Sequence, residues 1–93
     1  MIFMKDKSNT LSLENIQSFL DKTSGQITIG EIPPIRRAAL AAQGKKARVA
    51  LVCRDNESIA QLLQRLDAAL AQTMATDTVI DEVLPEIQRR RPR

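Results

Sequence analysis

Two hydrophobic rhythms alternate along this chain. Leu13, Ile16, Phe19 and Leu20 recur at three- and four-residue spacing, which predicts a helix over about 12–22. Ser12 is placed to cap it, Glu14 lies near its positive end, and Gly25 suits a left-handed C-terminal position. The rhythm then shortens to two: Ile27 and Ile29 alternate with polar or small residues, predicting a strand over 26–31. Pro33 and Pro34 stop any ladder, and Pro34 is suited to open a helix. Ile35, Ala38, Ala39 and Ala42 would give that third element, over 34–43, a narrow packing face closed by Gly44. A second strand is predicted over 47–54, with Ala47, Val49, Leu51 and Cys53 on one side and Arg48, Ala50, Val52 and Arg54 on the other. Its centre is apolar both ways, so it should be covered on both faces, with the cations at its wet ends.

The strongest helical signal follows over 58–74. Ser58 and Gln61 form a capping box, and Ile59, Leu62, Leu63, Leu66, Ala69, Leu70 and Met74 make an apolar face. Within it Ile59, Leu63, Leu66 and Leu70 are spaced four-three-four, the spacing of a helix-pairing seam. A last helix over 77–88 carries Val79, Ile80, Val83, Leu84 and Ile87, interrupted at Pro85. These elements predict an α+β fold: a small two-stranded sheet packed by three to four amphipathic helices. The strands would be joined by a parallel crossover, and pairing across a dimer axis would make the sheet four-stranded. Residues 1–9 read as a leader, 10–88 as one compact domain and 89–93 as a basic tail.

Composition sharpens this. With 93 residues and 2% aromatics the core has to be aliphatic, and a core of this size is commonly completed by a second copy. Ile59, Leu63, Leu66 and Leu70 are the expected homodimer contact. Cys53 is the one cysteine, which excludes an intrachain disulfide; it reads as a packed thiol on a strand. No apolar leader or bilayer-length run stands out, so a cytoplasmic location is expected, with no membrane partner.

Catalysis is not expected. Without histidine the chain lacks the commonest general base and metal ligand, and its three glycines form no phosphate-cradling loop. No cofactor and no metal are expected. Charge is informative instead: the net +3 is unevenly spread, with basic blocks at 44–58 and 88–93 flanking an acidic region. Arg36, Arg37, Lys45, Lys46, Arg48 and Arg54, with Arg89, Arg90 and Arg91 as auxiliary clamps, are the candidate phosphate contacts. The absence of stacking aromatics favours duplex over single-stranded nucleic acid. The expected function is therefore a small DNA-binding regulator acting as a homodimer. The alternative is a protein–protein interaction module using the apolar face of helix 58–74.

The order strand 47–54, helix 58–74, helix 77–88 resembles that of ribbon-helix-helix repressors, in which paired strands read the major groove. The resemblance covers about half the chain and implies base contacts from Arg48, Ala50, Val52 and Arg54. Ala50 and Val52 depart from that pattern, since neither can hydrogen-bond a base edge.

Overall fold

Two short turns decide the architecture. Pro33 and Pro34, joined by a cis peptide, turn the chain between Ile32 and Ile35, which face each other across a ladder. Gly44, at φ +62°, and Lys45 turn it again between Gln43 and Lys46. The positive φ is what a tight two-residue hairpin demands at its first central position, and glycine meets it without strain. The computed structural model describes residues 13–90. Its elements are α1 (Glu14–Lys22), β1 (Gly25–Ile32), β2 (Ile35–Gln43), β3 (Lys46–Val52), α2 (Ile59–Thr76), β4 (Ile80–Asp81) and α3 (Val83–Arg90). The leader expected over 1–9 lies outside the described residues.

The sheet is four-stranded within one chain, in the order β1-β2-β3-β4, so the α+β class holds but the two-stranded sheet does not. β1, β2 and β3 form an antiparallel meander, and β4 joins β3 in parallel through Val49↔Ile80 and Ala50↔Asp81. The helix-bearing parallel crossover therefore exists, but it runs β3–α2–β4 and does not join the two expected strands.

The segment 34–43, expected as a helix, is the central strand. Ala39 and Ala41 face a core with Ile16, Phe19, Val49, Leu51, Leu62, Leu66 and Leu70, under α1 and α2. Ile35 and Ala38 face the other way and meet Ala50 and Val83 of α3. A strand buried on both faces carries a continuous apolar run with no period-two signature, and alanine's helical preference completes the illusion. Its small side chains keep the helices close to the sheet.

Two irregularities adjust the strands' phase. Between Gly30↔Ala38 and Ile32↔Ile35, Arg36 and Arg37 together stand opposite Glu31, a bulge that leaves both arginines exposed and puts Ile35 and Ala38 on one face. Between Ala41↔Val49 and Ala42↔Ala47, Arg48 is the extra residue.

α2 is as expected at its start: Ser58 Oγ accepts from Gln61 N at 3.1 Å, and Gln61 Oε1 accepts from Ser58 N at 2.8 Å. Leu62, Leu66, Leu70 and Thr73 are fully buried against the sheet. The dimer seam is thus divided. Leu66 and Leu70 are consumed by the chain's own core, Leu63 is half-buried, and Ile59 alone is well exposed at 41%. Of the apolar face of 58–74, Leu62, Leu66 and Leu70 are buried in the core, while Ile59 and Met74 remain exposed.

α1 is capped from outside. Its first residues have no side-chain cap of their own, and Ser12 lies outside the described residues. Instead the buried Asp67 of α2 accepts hydrogen bonds from Asn15 N and Ile16 N, each 2.8 Å, and from Asn15 Nδ2 at 3.0 Å. Gly25 is not left-handed; it opens β1, where a Cβ would overlap the Phe19 ring. At the other end, Ile80–Asp81 forms β4 within the stretch expected as helix. Pro85 then sits in the first turn of α3, where it interrupts nothing, and Asp81 Oδ1 caps that turn through Val83 N (2.8 Å) and Leu84 N (3.1 Å). Arg89 and Arg90 belong to α3 and not to a separate tail.

The strand–helix–helix resemblance ends here as well. β3 is flanked by β2 along its length and by β4 at Val49 and Ala50, and Ala50 is buried beneath α3 and cannot face a groove.

Two substitutions test this packing. Asp67→Ala should lower the unfolding free energy in urea by roughly 2–3 kcal/mol, since it strands two helix-terminal N–H groups. Thr73→Val should leave stability unchanged or raise it by up to about 1 kcal/mol, because Thr73 Oγ1 is buried with no hydrogen-bond partner among the described residues.

Candidate nucleic-acid interface

At the end of the sheet where the Pro33-Pro34 turn lies beside the end of β3, four of the expected cations converge. The bulge presents Arg36 and Arg37. Cys53 N donates to Arg37 O at 3.0 Å, continuing the ladder one step past β3 and so fixing where Arg54 emerges. From the far side, the last turn of α3 brings Arg90, whose Nη1 donates to Pro34 O at 3.1 Å. Arg36, Arg37, Arg54 and Arg90 line one cleft of about 370 Å³, with Asp55 and Glu57 at its margin. A second hollow of about 580 Å³ adjoins it through Arg54, Asp55 and Arg90 and adds Arg89.

The acids around the cleft are largely committed elsewhere. Arg65 of α2 is the hub: Nε meets Glu57 Oε2 at 2.7 Å, Nη2 meets Glu57 Oε1 at 3.0 Å, and Nη1 meets Glu82 Oε2 at 3.0 Å. Nη2 also donates to Val52 O at 2.8 Å, while Glu82 Oε1 accepts from Val52 N at 3.0 Å. One guanidinium thus ties the start of α2, the end of β3 and the residue after β4. The hydrogen bond from Arg65 holds the Glu57 carboxyl below the usual carboxylate range against the opposing effect of burial, and Glu57 in turn holds Arg65 more firmly protonated. Glu86 is paired with Arg89 and, at 2.7 Å, with Arg90; the Arg89 contact first and the Arg90 contact second depress its pKa. With Glu57, Glu82 and Glu86 so engaged, Asp55 is the remaining acid of the cleft. Among the described residues Arg36, Arg37 and Arg54 take part in no ion pair.

The other expected contacts are not part of this cluster. Lys45 lies in the turn at the opposite end of β2 and Lys46 just after it, roughly 20 Å from Arg37 at the rise of an extended strand. Arg48 is turned by its bulge towards Asp77, which it meets at 3.0 Å. Arg91 lies outside the described residues. The expectation that Arg36 and Arg37 occupy the first turn of a helix is corrected: they are strand residues of β2.

Arg65 and Asp67, the two residues that organise the site's support, were not singled out by sequence reasoning. Arg65 had a visible mark, being the lone base of a stretch holding five acids, 59–87. Among the described residues no group of three or more cysteine or acidic side chains is gathered to hold a metal ion, and no helix is long and apolar enough to cross a membrane. Compared with family profiles, curated proteins and solved structures, the chain matches none.

The Glu57–Arg65 pair predicts a pH dependence with a definite sign. Folding lowers the Glu57 pKa, so its contribution exists in full above the unfolded value, about 4.3, and is lost as pH falls through the depressed folded one. The stability gap between the wild type and Glu57→Gln should be constant near neutrality and shrink in acid, as read from urea midpoints at successive pH values.

Proposed function

We propose that the protein is a small non-catalytic module that holds the phosphate backbone of duplex DNA in the cleft between Arg36, Arg37, Arg54 and Arg90. The observation that carries this reading is the convergence of Arg54 with the sequence-distant pair Arg36 and Arg37, all three without ion-pair partners among the described residues, on one concave surface. Guanidinium groups held by strands present paired donors suited to phosphate oxygens. Arg90 is anchored by Pro34 O and Glu86, so it shapes the wall more than it offers free charge. Such contacts position a duplex and carry no base code, and nothing in the cleft offers an aromatic platform for unstacked bases. Lys45 and Lys46 lie too far away to share the same phosphates and would act at most through the long-range field.

A labelled duplex titrated by fluorescence anisotropy at several salt concentrations tests the reading. Contacts from three arginines should give a slope of log affinity against log salt of about −2.7 per protomer. Replacing Arg36 and Arg37 together by glutamine should flatten that slope by about 2, because two phosphate contacts are gone. The same change at Lys45 and Lys46 should leave it nearly unaltered. Absence of binding at low salt, or equal losses from both pairs, would refute a localised phosphate site.

A further inference from the structure

β1 pairs with β2 along one side only, so its other side presents backbone N–H and C=O groups without ladder partners among the described residues. Natural sheets protect such an edge by brevity, lysine, proline or charge. The opposite edge obeys this rule: β4 is two residues long. β1 does not. It has eight residues, GQITIGEI, with neither lysine nor proline, and its one charge, Glu31, stands at the bulged end. Its helix-side residues Ile27 and Ile29 pack against the main core yet are only half-buried.

The strand is complementary to a reversed copy of itself. In a closed antiparallel twofold pair, both copies keep α1 and α2 on the same side of the sheet, so residues standing opposite each other must share a face. Only a register with a single residue on the axis meets this condition. Thr28 and Ile29 would each engage seven residues, but Ile29 would set Ile27 opposite Glu31, so Thr28 is the register that keeps the isoleucines together. Ile27 then faces Ile29 of the second copy and Ile29 faces Ile27, which covers the half-buried pair with two more isoleucines. Thr28 meets its own counterpart on the open face, where it is exposed in the single chain. Gln26 falls opposite Gly30, and the two Glu31 side chains are carried to opposite ends, so no like charges meet.

We infer that the chain forms a twofold dimer in which two β1 strands pair antiparallel about Thr28, joining two four-stranded sheets into one continuous sheet. This is a different surface from the helix seam, whose Leu66 and Leu70 are buried in the single chain. It rests on the strand edge alone and holds whether or not nucleic acid binds.

Sedimentation velocity of the full chain should report a dimer. Thr28→Lys sets two ammonium groups face to face at the axis and should yield a monomer with an unchanged circular dichroism spectrum. Register is tested separately in a Cys53→Ser background. Thr28→Cys should form a disulfide-linked dimer with oxidised glutathione at least roughly tenfold faster than Gln26→Cys, since opposed residues in a ladder lie within reach of a disulfide and offset ones do not. A wild type that stays monomeric at its highest soluble concentration overturns the inference. So does a dimer that persists in folded Thr28→Lys, or equal cross-linking from the two positions. Should Thr28→Lys fail to fold, the comparison of cross-linking rates still decides.

Discussion

Everything in this structure depends on covering both faces of β2 with the helices of one short chain. A central strand buried twice has no side for water, and the covering layers must come from sequence before and after the meander. α1 and α2 supply one layer and α3 the other, and β2 itself is reduced mostly to alanine so that both fit. α1 is nine residues long, too short to persist alone, and it is held in place by a carboxylate from the neighbouring helix. Asp67 thereby performs two tasks with one group: it satisfies the free end of α1 and fixes that helix's height on α2. Arg65, two residues earlier, does the analogous work on the far side of α2, gathering the strand ends and the approach to α3.

The site inherits its geometry from these constraints. Arg54 emerges where it does because the ladder continues to Cys53, and the acid that would neutralise it is held by Arg65. Arg90 is delivered by α3, whose place is set by the second layer of the core. The cleft is therefore a by-product of how the layers close at one end of the sheet, with its cations drawn from three separate elements.

What could be read from the sequence follows from which signals are local. The capping box at Ser58, the apolar face of α2, the strand at 26–31 and the double-sided burial of β3 all depend on neighbours in the chain, and all are present. β2 is not legible locally, because Ala38, Ala39, Ala41 and Ala42 fit a helix as readily as a strand; only Ile32 facing Ile35 and Gln43 facing Lys46 across tight turns decide the matter. The seam at Leu66 and Leu70 was legible as an apolar face but not as to which surface would cover it. In the site, Arg36, Arg37, Arg54 and Arg90 were recognised as cations, yet their grouping apart from Lys45 and Lys46 is a property of the meander. The Asp67 cap spans more than fifty residues of sequence, and no spacing rule reaches that far.

The bulge opposite Glu31 has one more consequence. Two successive residues of a regular strand point to opposite sides, so Arg36 and Arg37 lie exposed together only because one of them is surplus to the pairing. The pair is thus specified by parity as much as by charge. Replacing either residue changes one contact and leaves the frame intact. Deleting either one restores regular alternation, keeps Ile35 and Ala38 together on the α3 side, and turns the remaining arginine towards the other face. The length of this segment therefore decides how many guanidinium groups are exposed together, while the α3 layer stays in phase.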